Sequence, residues 1–139
     1  MSSKSLNSEI LLYSDIFELG KIYYRPDRIE KPLSKLQTTT IKKNMGWCDD
    51  PKSKYYNKLI KIKKNFKMNH EKLYRKDNKY DIFILIKHNY KKVIKNQGSA
   101  IFLHLTKNYL PTKGCVALSK KDFLILIKLI NKKTKIKIT

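Results

Sequence analysis

GSAIFLHLTKNYLPTKGCVAL, residues 98–118, is the stretch on which the reading of this chain turns. It sets a histidine, His104, eleven positions ahead of a cysteine, Cys115, which is entered through Gly114 and followed by Val116. A thiol attacks as the thiolate, and at neutral pH most free thiol is protonated, so a nucleophilic cysteine needs a base or a cation beside it. A glycine before it lets the backbone turn so that N–H groups can face a developing oxyanion. Within 100–106, Ala100, Phe102 and His104 share one face of a strand, and Ile101, Leu103 and Leu105 share the other. Residues 107–114 read as a loop, and Cys115–Leu118 as the start of a short strand.

Moving outward, YDIFILIKH at 80–88 is a nearly continuous apolar run that suits a buried central strand. HNYKKVIKNQG at 88–98 reads as a connection. Downstream, Ser119 opens a helix with the spacing of a capping box, Asp122 standing third. Phe123, Leu124, Leu126, Ile127 and Ile130 form an apolar stripe at helical spacing, as expected for plain core. KTKIKIT at 133–139 alternates apolar with basic residues and reads as a half-exposed final strand. Upstream, residues 16–24 read as a strand broken by YRPDR, because Pro26 supplies no donor. Residues 29–79 lack a periodic apolar pattern. GWCDDP at 46–51 and MNHEKLYRKD at 68–77 read as structured loop, with room for a short helix near His70–Tyr74. Asp49 and Asp50, before Pro51, read as turn formers. The expected fold is mainly β, a sandwich or barrel-like mixed sheet, with one helix near 119–131. Residues 1–15 are expected to be a poorly ordered or truncated segment ahead of a single domain at 16–139.

The chain has 139 residues, a formal net charge of +21 and 32 basic side chains, of which only Arg25, Arg28 and Arg75 are arginine. Arginine is favoured where phosphates or bases are read by paired hydrogen bonds. Lysine richness with few arginines and glycines reads as codon bias toward A and T, and the charge as a solvated surface. A polyanion partner is the other reading of the same charge. No stretch reaches the roughly 18 apolar residues of a membrane span. The start, MSSKSLNSEILLYSDIFELG, has early acidic residues and no uninterrupted apolar region, unlike a signal peptide. On residues alone the expected location is therefore the cytoplasm. Cys48 and Cys115 have no metal-ligand spacing. Cys48 reads as a small buried hydrophobe, and pairing with Cys115 stays open.

The segment from Gly98 to Leu118 resembles the catalytic core of the L,D-transpeptidases, the YkuD-type cysteine acyltransferases of bacterial cell walls. The residues that carry the likeness are His104, Thr112, Gly114, Cys115 and Val116 within GSAIFLH and PTKGCVALS. YYRPDR at 23–28, GWCDDP at 46–51 and HE at 70–71 are similar to one branch of that family. Lys113 stands where many members have histidine, and Ala117 where many have arginine. LLYSDIFELG lacks the Thr-Pro and first glycine of a common opening segment.

The resemblance implies Cys115 as nucleophile, His104 as general base and acid, and backbone N–H groups around Gly114 as oxyanion donors. Thr112, Lys113, Ser99 and Trp47 would support the site or bind substrate, although for Trp47 a core role is an equal expectation. The implied substrates are peptidoglycan stem peptides, as donor and acceptor, joined in a 3→3 cross-link at the cell envelope. Water as acceptor would make the enzyme an L,D-carboxypeptidase, and a catalytically degenerate wall-peptide-binding homologue is a further alternative. The mechanism needs no metal and no organic cofactor. His70 and His88 read as structural or surface residues. The rival of another class is a basic nucleic-acid-binding module, against which stand the scarcity of arginine and the absence of a nucleic-acid-binding pattern. A papain-like peptidase would place its cysteine before its histidine, the reverse of the order here.

Overall fold

The computed structural model describes residues 16–87, 101–106 and 116–137. Its main sheet is built from β1 (Ile16–Tyr24), β2 (Thr38–Thr40), β6 (Ile82–Ile86), β7 (Ile101–Leu105) and β8 (Val116–Leu118), in the order β2-β1-β6-β7-β8. A ninth strand, β9 (Lys135–Lys137), pairs antiparallel with the first residues of β1, while β2 runs parallel to its last three. A second sheet, ordered β4-β3-β5, contains β3 (Met45–Cys48), β4 (Lys58–Lys61) and β5 (His70–Lys72). One helix, α1 (Lys120–Leu129), follows β8 directly. The fold is thus mainly β with mixed sheets, as expected, but the described strands form two open sheets and no closed barrel. No helix among the described residues is long and apolar enough to cross a membrane.

Alternation along the central strands divides the core in two. Ile82, Ile84 and Ile86 of β6, with Leu103 and Leu105 of β7, face α1, where Phe123, Ile127 and Ile130 cover them. Leu124 and Leu126 pack at the margin of that layer. Phe83 and Leu85 point the other way, joining Tyr23, Phe102, Trp47, Leu73 and Tyr80 in an aromatic layer under the second sheet. A strand buried on both faces needs an unbroken apolar run, and that explains YDIFILIKH. The Ser119 hydroxyl accepts the Asp122 N–H at 3.2 Å, capping α1 as its sequence predicts.

β1 carries an irregularity between Leu19, opposite Ile86, and Ile22, opposite Ile84. Gly20 lies within it, and a Cβ there would meet the Leu85 side chain at 3.2 Å. The glycine lets the strand bend while lying against its neighbour.

The expected loop over 29–79 is corrected: it contains four strands, β2 to β5. Gly46–Cys48 are the last three residues of β3, and His70–Lys72 pair with them as a strand, with no helix at His70–Tyr74. These strands have three or four residues; TTT and HEK contain no fully buried residue, KLIK buries one, and MGWC buries Gly46, Trp47 and Cys48 in succession. They are too short to show the period-2 pattern by which strands are recognised. Asp50 is a turn former as expected, its carboxylate accepting the N–H groups of Lys52 and Asn69. Cys48 is fully buried and is a free thiol, as a small buried hydrophobe is expected to be, while Cys115 lies outside the described residues. The expectations for residues 1–15 and the connection at 88–98 fall on or extend into segments outside the described residues.

Candidate active site

β7 and β8 run parallel, with Leu103 opposite Val116 and His104 opposite Ala117. The chain enters β8 from Cys115, so covalent connectivity alone ties the cysteine to the strand beside His104. Cys115, Gly114, Lys113, Thr112 and Ser99 lie outside the described residues. His104 and Trp47 are described, and both belong to the face under the second sheet.

The His104 ring is 1 % exposed. Its Nδ1 lies 2.9 Å from the Leu105 carbonyl oxygen. A carbonyl can only accept, so Nδ1 carries the proton and neutral Nε2 offers a lone pair. Nε2 has no hydrogen-bond partner among the described residues. A buried polar atom without a partner is costly, so an arrangement that leaves one free suggests a partner supplied from elsewhere. Burial lowers the His104 pKa from its usual 6.5; the bond to the Leu105 carbonyl and the charge of Glu71 raise it, and Lys79 and Arg75 lower it. The net shift keeps the imidazole neutral, the form required of a general base.

The surroundings are aromatic. Tyr80 meets His104 edge to face, with ring centroids 5.8 Å apart, and Phe102 and Tyr80 are 5.6 Å apart in the same manner. Trp47 meets Phe102 at 5.5 Å. A cleft of about 800 Å3 opens beside these rings, between the two sheets. Its lining includes Tyr23, Leu85, Trp47 and Asn57, with Lys21, Lys58, Lys87 and Lys132 around it. His104 is not among the cleft's described lining residues; Phe102, two positions before it, lies against Trp47. Trp47 is 3 % exposed within the core and borders the cleft.

Asn57 was not singled out by its sequence context. Its φ of 59° is left-handed, a conformation asparagine tolerates better than most residues. Its Oδ1 accepts the Trp47 indole N–H at 3.1 Å. Asn57→Gly keeps the backbone and removes the acceptor. The expected cost is about 1–3 kcal/mol, with a shift in the emission of Trp47, the only tryptophan. Urea unfolding followed by fluorescence measures both.

All three arginines in the chain lie in one cluster, a grouping that their scarcity in the sequence does not announce. Arg25 forks Asp27 at 2.9 and 2.8 Å, donates to the Arg75 carbonyl at 2.7 Å and stacks 3.5 Å above the Tyr74 ring. Arg28 reaches Asp81 and the carbonyls of Lys76 and Asp77. Arg75 forks Asp77 and holds its carboxyl down at about 2. Together they fasten residues 74–81 to the turn after β1, and the Lys79 carbonyl of that segment accepts the Leu105 N–H at 3.2 Å. His70, read as structural or surface, is half-buried in β5, its Nδ1 2.8 Å from the Met68 carbonyl. His88 lies outside the described residues.

The model of the L,D-transpeptidase catalytic domain, YkuD, matches residues 16–138, and the chain belongs to that family. Its members are transpeptidase-type enzymes of the cell envelope that act on peptidoglycan peptides. Comparison with curated proteins and with solved structures gave no match.

Proposed function

We propose that this chain is a cysteine acyltransferase that forms 3→3 cross-links between peptidoglycan stem peptides through a thioester on Cys115. The observation that carries the reading is the state of His104: Nδ1 is held by a carbonyl, and Nε2 is buried, with a lone pair and no partner among the described residues. Family membership over 16–138 supports the chemistry.

Nε2 takes the Cys115 proton, and the thiolate attacks the carbonyl between the diamino acid and the terminal D-Ala of a tetrapeptide stem. Backbone N–H groups at Gly114 and Cys115 hold the oxyanion. The tetrahedral adduct collapses, the C–N bond breaks, and His104 gives its proton to the leaving D-Ala amine. A second stem's side-chain amine then attacks the thioester, losing its proton to His104, and the thiol returns. Thr112, Lys113 and Ser99 support the substrate, and Trp47 with its cleft receives part of a stem.

Incubation with a soluble disaccharide tetrapeptide, followed by mass spectrometry, is expected to give free D-Ala and a dimer lacking one D-Ala residue. Cys115→Ala is expected to yield neither. A trimmed monomer alone would make water the acceptor and overturn cross-linking. Unchanged substrate with the folded, reduced wild-type protein would contradict the reading altogether.

A further inference from the structure

Tyr80 occupies a position that bulk packing does not explain. Its ring is 1 % exposed and touches Phe83, Phe102 and His104 at centroid distances of 5.1, 5.6 and 5.8 Å. A phenylalanine would fill the same space. The tyrosine hydroxyl instead crosses to the second sheet and donates a hydrogen bond to the Glu71 carboxylate. Glu71 is the middle residue of β5, paired with Trp47 of β3. The next residue before Tyr80, Lys79, holds β7 through its carbonyl, beside the same histidine.

The imidazole is fixed at one point by the bond from Nδ1 to Leu105. That one bond restrains rotation about the ring's own attachment but can break, and the rotation would then swing Nε2 away from its target. A wall against the ring removes the freedom, provided the wall is itself locked. Tyr80 is such a wall, anchored at its far end by Glu71.

We infer that Tyr80 and Glu71 are positioning residues for His104, so that docking of the second sheet sets the direction in which Nε2 points. The inference rests on reading His104 as the base. Neither residue touches the reacting atoms; both act through the imidazole. Among the described residues, the charged groups that bear on His104 are Lys79, Glu71 and Arg75.

The test uses the full chain with Tyr80→Phe, Tyr80→Leu and Glu71→Gln. Nitrogen and carbon NMR of the His104 ring, assigned with His70 and His88 replaced, reads the tautomer without reference to activity. Alkylation of Cys115 by iodoacetamide across pH reads the base; Cys48 is fully buried and does not compete. Wild type is expected to show one Nδ1–H tautomer. Tyr80→Phe, which keeps the ring and loses the anchor, is expected to mix the tautomers and slow alkylation by about tenfold. Glu71→Gln still accepts the hydroxyl, so it is expected to keep the tautomer, while its His104 titration moves to lower pH because the Glu71 charge is gone. A folded Tyr80→Phe with the wild-type ring signal and alkylation profile overturns the inference, and it decides the matter if Tyr80→Leu fails to fold. Wild-type alkylation no faster than that of free cysteine would instead sink the catalytic reading, leaving the ring signals to judge positioning.

Discussion

His104→Gln is expected to slow acylation of Cys115 by about 10²–10⁴-fold, the usual worth of a positioned acid–base group. Glutamine approximates the imidazole volume, so the core beside Tyr80 and Phe102 stays filled. It provides no base to take the thiol proton. The pH dependence is part of the same prediction. Burial holds the His104 pKa below 6.5. The imidazole therefore stays neutral, and able to accept a proton, to lower pH than an ordinary histidine. The acid limb of the wild-type rate should fall below 6.5, as His104 protonates, and should be absent from the residual rate of His104→Gln. Stopped-time mass spectrometry of the acyl-enzyme across pH measures both. An unchanged rate in the variant would remove His104 from the chemistry.

Arg25→Met is expected to destabilise the fold by about 3 kcal/mol, judged from the loss of hydrogen bonds to a charged group, and to lower the Tm by about 10 °C. Methionine retains much of the volume and lets the buried position stay apolar. It loses the fork to Asp27, the bond that satisfies the Arg75 carbonyl and the stack on Tyr74. Arg25→Lys is expected to recover little, since a lysine ammonium can neither fork a carboxylate nor lie flat on a ring. The loss reaches the site because the clamped segment 74–81 carries Tyr80. Acid weakens the same cluster. The Asp77 carboxyl titrates at about 2 in the folded chain against an ordinary 3.8. Unfolding takes up a proton between those values, so this contribution is present above about pH 4 and fades as pH falls toward 2. Thermal unfolding of the two variants and of the wild type across that range checks both statements.

The arginine cluster also marks where the sequence was hard to read. With 29 lysines in the chain, three arginines looked like residue from a codon bias. Arg25 and Arg75 each fork a carboxylate and Arg28 bonds three acceptors, which spacing along the chain does not reveal: Arg25 and Arg75 are fifty positions apart and join only in the fold. Except for β2, the strands of the main sheet were legible because each has a physical reason to be apolar or alternating. Ile82–Ile86 is covered on both faces, Phe102 and His104 alternate with Leu103 and Leu105, and Ser119 announces α1 through its cap. β3, β4 and β5 were not legible. Their stability comes from pairing with one another and from a few contacts such as Trp47 with Phe102, and no periodicity of their own reports that. For the site, His104 was visible as a polar residue in an apolar strand. Its tautomer, an Nε2 without a partner among the described residues, and the contacts of Tyr80, Glu71 and Asn57 depend on how distant segments meet.

The measurement that tests the central claim most directly is intact-mass spectrometry of the reduced protein mixed with a carbapenem, a class of acylating agent that the family resemblance points to. It is run beside Cys115→Ala and His104→Gln. The expected result is a single covalent adduct on the wild type, absent from Cys115→Ala and slow to form on His104→Gln. An adduct that persists in Cys115→Ala, or none on the folded wild-type protein, would contradict a thioester mechanism at Cys115.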